Sequence, residues 1–267
     1  MRRFSTSLFA LALMGPLVGT AHAQEDADGN APWSQADRYY SAEAMEKARK
    51  AVQHHAGGQR FWLVMLDRLE VQRREGHDTF VWDGKGYLGT DTNKFYVKSE
   101  GHYSFGEEKV EEAEVQALWS HAIAPYWDLQ TGLRYDFEPE GLTQGVFGIE
   151  GLAPYFFEVD VAGFVSEDGD VTARAEAEYD LLLTQRLILQ PRLEFNVSFQ
   201  DVPKRDLGSG LTDFEAGVRL RYEIEREFAP YLGVAWQGAF GRTADIIEAD
   251  GGDSDGVAVI LGLRTWF

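Results

Sequence analysis

Residues 187–200 read LILQPRLEFNVSFQ, and one face of that run is continuously apolar. In an extended chain Leu187, Leu189, Pro191, Leu193, Phe195, Val197 and Phe199 share a side, against Ile188, Gln190, Arg192, Glu194, Asn196, Ser198 and Gln200. Alternation alone fits both a soluble sandwich and a transmembrane barrel. Length and charge separate them. Soluble strands average roughly 5–6 residues, and this run is far longer. Its polar side also carries charges of both signs, which a wet lumen accepts and a dry sandwich interior does not.

The same texture extends over the chain. Residues 127–138 set Trp127, Leu129, Leu133, Tyr135 and Phe137 against Asp128, Gln130, Arg134, Asp136 and Glu138, and residues 171–181 and 257–267 alternate likewise. The pattern predicts twelve strands: 61–73, 79–90, 94–104, 110–122, 127–138, 142–151, 155–165, 171–183, 187–200, 211–223, 228–240 and 257–267. Aromatic residues recur near strand ends, where interfacial girdles sit. The expected fold is all-β, an antiparallel up-and-down transmembrane barrel over residues 60–267. An even strand count puts both barrel ends on the periplasmic side. Short turns at 90–93, 124–126, 152–154 and 184–186 then fall inside. The longer connections at 106–112, 166–170, 200–210 and 242–256 fall outside. The last of these holds Asp245, Glu248, Asp250, Asp253 and Asp255 and reads as a solvated acidic loop.

Composition excludes several functions. The 267 residues contain no cysteine, so disulfides, thiolate metal sites and cysteine nucleophiles are absent. Acidic residues outnumber basic ones 44 to 25, a net charge of −19, which argues against a nucleic-acid partner. Arg2 and Arg3, the apolar stretch 8–19 and Ala21-His22-Ala23 have the form of a signal peptide over residues 1–23. Residues 24–59 form a flexible periplasmic segment with one short helix, SAEAMEKARKAVQHH, capped by Ser41 and ended by Gly57-Gly58.

Several blocks carry a family resemblance: LDRLE (66–70), SEG (99–101), GLAPYFFEVD (151–160), EAEYDLLLTQRLILQPRLE (176–194), RLRYEIEREFAPYLGV (219–234), and GRTAD (241–245) with the terminal LRTWF (263–267). Together they resemble the copper resistance protein B family of outer-membrane barrels. The resemblance implies copper ions as the bound species and a part in copper resistance and homeostasis; the alternative reading is a structural or general cation-selective outer-membrane barrel without copper specificity. The resemblance also implies outer-membrane lipid around the barrel and a periplasmic copper-handling oxidase as a partner. Family members carry a long amino-terminal region rich in Met and His. Past residue 23 this chain has only Met45 and Met65, with His54 and His55 in the short acidic segment.

Candidate copper ligands follow from chemistry. Cu(II) favours nitrogen and oxygen donors. His102 shares parity with Tyr96, Lys98 and Glu100, so it faces the lumen among carboxylates, with Glu100, Glu114 and Asp136 as candidate partners. His54 and His55 end the amino-terminal helix, and His77 sits in the first outer loop beside Glu75 and Asp78. His121 follows the apolar parity and belongs at the inner interface. The remaining lumen charges, among them Arg68, Arg134, Arg174, Arg192, Arg219, Arg221 and Arg264, pair with carboxylates on neighbouring strands and stiffen the barrel. With no G-x-S-x-G motif and no Ser–His arrangement, an enzyme is not expected.

Overall fold

The structure, a computed structural model, describes residues 32–56, 59–74, 77–249 and 251–267. The expected signal segment 1–23 lies outside the described residues, as do residues 24–31. The chain divides into two compact units, Met1–Gly57 and Gly58–Phe267. In the first, a 3-10 helix (Pro32–Arg38) precedes α1 (Ala42–Ala56). The Ser41 hydroxyl accepts the Ala44 N–H at 3.3 Å, an N-terminal cap. Arg49 of α1 pairs with Asp37.

The second unit is built from twelve strands. They are β1 (Phe61–Arg74), β2 (His77–Gly89), β3 (Asn93–Ser104), β4 (Lys109–Ala124), β5 (Trp127–Glu138) and β6 (Leu142–Ala153). After them come β7 (Phe157–Ser166), β8 (Val171–Glu178, resuming at Leu181–Leu182), β9 (Leu187–Ser198), β10 (Gly210–Tyr222), β11 (Phe228–Ala239) and β12 (Asp255–Trp266). Each pairs antiparallel with its sequence neighbours, and β12 pairs back onto β1 from Met65↔Trp266 to Arg73↔Val259. The sheet therefore closes and has no free edge, which lets every strand cross a bilayer with its backbone satisfied. Among the described residues no helix is long and apolar enough to cross a membrane.

The eighth strand was expected to run unbroken from 171 to 183, and it breaks at Tyr179–Asp180. The register does not slip: Arg192↔Glu178 before the gap and Leu189↔Leu181 after it belong to one ladder. The residues opposite the gap are Pro191 and Gln190. Pro191 has no N–H to donate, so the ladder loses a rung there. Its carbonyl still accepts the Tyr179 N–H at 3.2 Å.

The two faces of the barrel are opposite in character. Leu133, Phe147, Leu232, Val257, Val259 and Leu261 point outward and are each at least half exposed. So broad an apolar surface is incompatible with water and suits lipid. Tyr126, Tyr155 and Phe156 ring the end with short turns, while Phe214, Trp236 and Phe240 pack together near the other. Inside, Arg68, Glu70, Arg134, Asp136, Arg192, Arg219 and Arg221 are all buried. A smaller apolar patch, Tyr96, Leu118, Val146 and Phe164, shares the lumen with them.

The last outer connection departs from the solvated acidic loop predicted for 242–256. Residues Gly241–Ala249 form a helix, α2, with Thr243 buried. Its Oγ1 accepts the Gly208 N–H at 3.0 Å, and Arg242 pairs with Asp201. Ile246 and Ile247 supply what the acidic count obscured, an apolar side that turns inward. The connection 199–209 and α2 are thus joined as one cover. A tight turn in that connection, Pro203–Arg205, is closed by the Val202↔Leu207 bridge. It sends Arg205 down to Asp136 at 3.3 Å.

Candidate functional site

Among the described residues, two cavities lie along the lumen. The one toward the long loops measures about 810 Å³ and is roofed by Arg205, Asp206, Leu207, Ile246 and Ile247. The one toward the short turns measures about 210 Å³. Short turns mark the periplasmic end of such barrels, so the two are called outer and inner here. Glu100, Phe164 and Arg174 line both, and therefore stand between them.

His102 lies on β3 in register with Val81 and Glu112 and faces the outer cavity. Its Nδ1 is 3.9 Å from a Glu112 carboxylate oxygen, and both side chains remain accessible to solvent. Glu107, Glu111 and Asp213 line the same cavity. The proposed carboxylate partners of His102 sit deeper and are held by cations. Glu100 accepts from Arg68 at 2.7 Å and from Arg174 at 2.6 Å. Glu114 accepts from Arg134 at 2.7 Å and from Arg174 at 3.0 Å. Asp136 accepts from Arg134, from Gln144 at 2.8 Å and from Arg205. Among the described residues no three His, Asp or Glu side chains converge as a ready metal site.

The other sequence candidates are dispersed. His54 and His55 close α1 with ring centroids 4.9 Å apart, both exposed, in the unit separate from the barrel. His77 opens β2, its backbone opposite Arg74. His121 stacks on Trp119 at 5.2 Å and its Nδ1 is 3.0 Å from the Asn93 amide oxygen, beside a short turn.

Charge pairing inside the barrel is dense, both between adjoining strands and across the bore. Arg192, 1% exposed on its side chain, reaches Glu176 at 2.9 Å, Glu178 at 3.0 Å, Glu194 at 2.7 Å and Glu215 at 3.1 Å. Arg219 forks onto Glu70, with contacts of 2.7 and 3.0 Å. In the inner cavity Lys98 pairs with Glu150 at 3.1 Å and with Asp160, and Lys85 lies 3.5 Å from Glu150. The Tyr96 hydroxyl donates to Glu150 at 3.2 Å. The inner wall carries nine carboxylates against Lys85, Lys98 and Arg174. Arg68, Arg134, Arg192 and Arg264 reach in to Glu100, Glu114, Glu176, Glu178 and Asp67 among them, so a small negative surplus remains. Such a surplus between low-dielectric walls concentrates cations.

Asp67, Asp83, Lys85 and Glu150 escaped the sequence reading. On β2 the outward positions Gly84 and Gly86 carry no side chain, so nothing apolar marked Asp83 and Lys85 as their inward counterparts. On β1 the register shifts between Leu66 and Leu69, and the bulge turns consecutive residues Asp67 and Arg68 both inward. Asp67 then meets Arg264 at 2.7 Å. On β6 the inward neighbours of Glu150 are Val146 and Gly148, which conceal its polar parity.

Comparison with known proteins gives consistent matches. Residues 60–267 match the model of the family described as copper resistance protein B precursor. Copper resistance protein B of Escherichia coli is 48% identical over 207 residues, covering 77% of this chain and 69% of the relative. A copper resistance protein B homolog of Pseudomonas syringae pv. tomato is 44% identical over 204 residues, covering 76% and 69%. Among solved structures, the NanC porin superposes with a TM-score of 0.52 at 11% identity, over 76% of this chain and 98% of that one. That likeness concerns the fold alone.

Proposed function

Because the chain belongs to the copper resistance protein B family, with the role in copper resistance at the outer membrane that membership carries, we propose that copper ions are the cargo of its lumen. Copper enters the outer cavity, is held briefly at His102 and Glu112, and moves toward the acid-rich inner cavity. The observation that carries this reading is the His102–Glu112 pair, 3.9 Å apart and open to solvent on the wall of the outer cavity. An imidazole beside a carboxylate suits Cu(II), and two donors without a third hold it weakly enough to let it go. His54 and His55 are a second, exposed capture point, and His77, at the start of β2, is a third. The protein acts without catalysis, and a periplasmic copper-handling oxidase receives or supplies the ion.

Titration of the detergent-folded full chain with Cu(II) tests the ligand assignment. His102→Ala is expected to lower Cu(II) affinity roughly tenfold, the loss of one good donor from an incomplete set. His121→Ala, at the inner rim, is expected to change nothing. Equal affinity in the wild type and His102→Ala would remove His102 from the path. A barrel with no Cu(II) binding at all would favour a structural role for the charged lumen.

A further inference from the structure

We propose that Arg174 is the specificity-determining residue of the lumen, a tethered cation that closes the bore and yields to divalent cations in preference to monovalent ones. The inference rests on the reading of the lumen as a cation path.

The topology makes Arg174 a crossbar. It stands on β8, while Glu100 and Glu114 stand on β3 and β4. In a closed twelve-strand sheet these positions are four and five strands apart, nearly opposite each other. Arg174 nevertheless reaches both, with its Nη1 2.6 Å from Glu100 and its Nη2 3.0 Å from Glu114. It therefore spans the bore at the level where the two cavities meet. The Phe164 ring lies 5.9 Å from this guanidinium, and the Arg134 guanidinium lies 4.7 Å from the same ring. An ion leaving the outer cavity for the inner one meets a fixed positive charge at that point.

The same side chain has a second place to rest. Its Nε donates to the Asn196 amide oxygen at 3.2 Å and lies 3.7 Å from a Glu194 carboxylate oxygen, both on β9, the adjoining strand. Withdrawn to its own wall, the guanidinium would keep a carboxylate and an amide partner, while Glu100 keeps Arg68 and Glu114 keeps Arg134, so opening the bore strands no buried charge. What remains across the bore is a pair of carboxylates on adjacent strands, Glu100 and Glu114, in direct register. A divalent ion replaces the withdrawn charge between them with twice the electrostatic attraction of a monovalent one. Potassium, with no more charge than the tethered cation, gains nothing by displacing it from two carboxylates. Preference by valence follows from this exchange, with His102 supplying chemical preference for copper upstream.

The test is ion permeation through the full chain reconstituted in planar bilayers and in vesicles, with K⁺ and Cu(II) as probes. Wild type is expected to conduct K⁺ poorly. Arg174→Gln should raise K⁺ conductance roughly tenfold while lowering the Cu(II)-over-K⁺ preference, because a unit charge in a narrow bore is removed. Arg174→Lys, which keeps the charge, should stay near wild type and covers the case in which the glutamine variant does not fold. Unchanged K⁺ conductance and selectivity in folded Arg174→Gln would overturn the proposal. If the glutamine variant does not fold, increased K⁺ leak through Arg174→Lys would do so, because the fixed charge would then not be what closes the bore. A rise in K⁺ conductance without Cu(II) permeation in any variant would uphold the crossbar and refute copper as cargo. Equal Cu(II) permeation and equal K⁺ leak in wild type and Arg174→Gln would do the reverse.

Discussion

Methionine in place of Arg192 is expected to destabilise the folded barrel by ~3–5 kcal/mol, the cost of leaving buried charges without their partner. Arg192 is the hub of the network, since Glu176, Glu178, Glu194 and Glu215 from three strands all converge on it. Removing it takes away the cation that the four carboxylates share, with Arg219 still at Glu215 and Arg174 near Glu194. The measurement is the urea midpoint of the detergent-folded protein, read by the shift between folded and unfolded bands on unheated gels. The damage should be recovered in large part by Glu176→Gln and Glu194→Gln added to the methionine variant, since neutral amides remove the repulsion and retain hydrogen bonding. A methionine variant that unfolds at the wild-type urea concentration would show that the lumen is wet enough to screen the cluster.

Leu261→Arg is the second large effect, and its sign identifies the solvent outside the barrel. Leu261 is 62% exposed on the middle of β12, opposite Leu232 of β11, itself 62% exposed. At an exposed position of a soluble protein such a change stays within about ±0.5 kcal/mol. At the mid-plane of a bilayer it costs ~2–4 kcal/mol. Folding into phospholipid vesicles should therefore be strongly impaired for Leu261→Arg. Arginine at the rim position Phe267 should have little effect, because a long cationic side chain reaches the headgroups there. Normal insertion of Leu261→Arg would contradict the lipid-facing assignment of β11 and β12.

Much of this architecture was legible in the sequence because the outward face of most strands is continuously apolar. Along 127–138 and 187–200 that face alone fixed parity, and Arg134, Asp136 and Arg192 fell on the inside as a consequence. Legibility failed where the outward face was blank or the parity was broken. Gly84 and Gly86 hid Asp83 and Lys85, and the β1 bulge hid Asp67. Loops failed for a different reason. The acidic count of 242–256 concealed Ile246 and Ile247, half-buried side chains that line the outer cavity and make α2 its cover. Which carboxylate each arginine would choose could not be read from the chain either. Arg174 reaches beyond Glu194 on the adjoining strand to Glu100, 74 residues away, and only barrel closure brings those two together. His102 faces the lumen as its parity predicts, and the carboxylate beside it, Glu112, is its direct register partner on β4, two residues from Glu114 on the same face and the last pair before the ladder shifts.

Closure, charge and the position of His102 bear on one claim, that copper moves through this lumen. The most direct measurement is Cu(II) entry into vesicles containing the full chain and an internal copper-quenched dye. Entry should exceed that into protein-free vesicles, should slow on His102→Ala, and should persist in a potassium background. Quenching no faster than in protein-free vesicles, from a barrel shown by its gel shift to be folded, would contradict it.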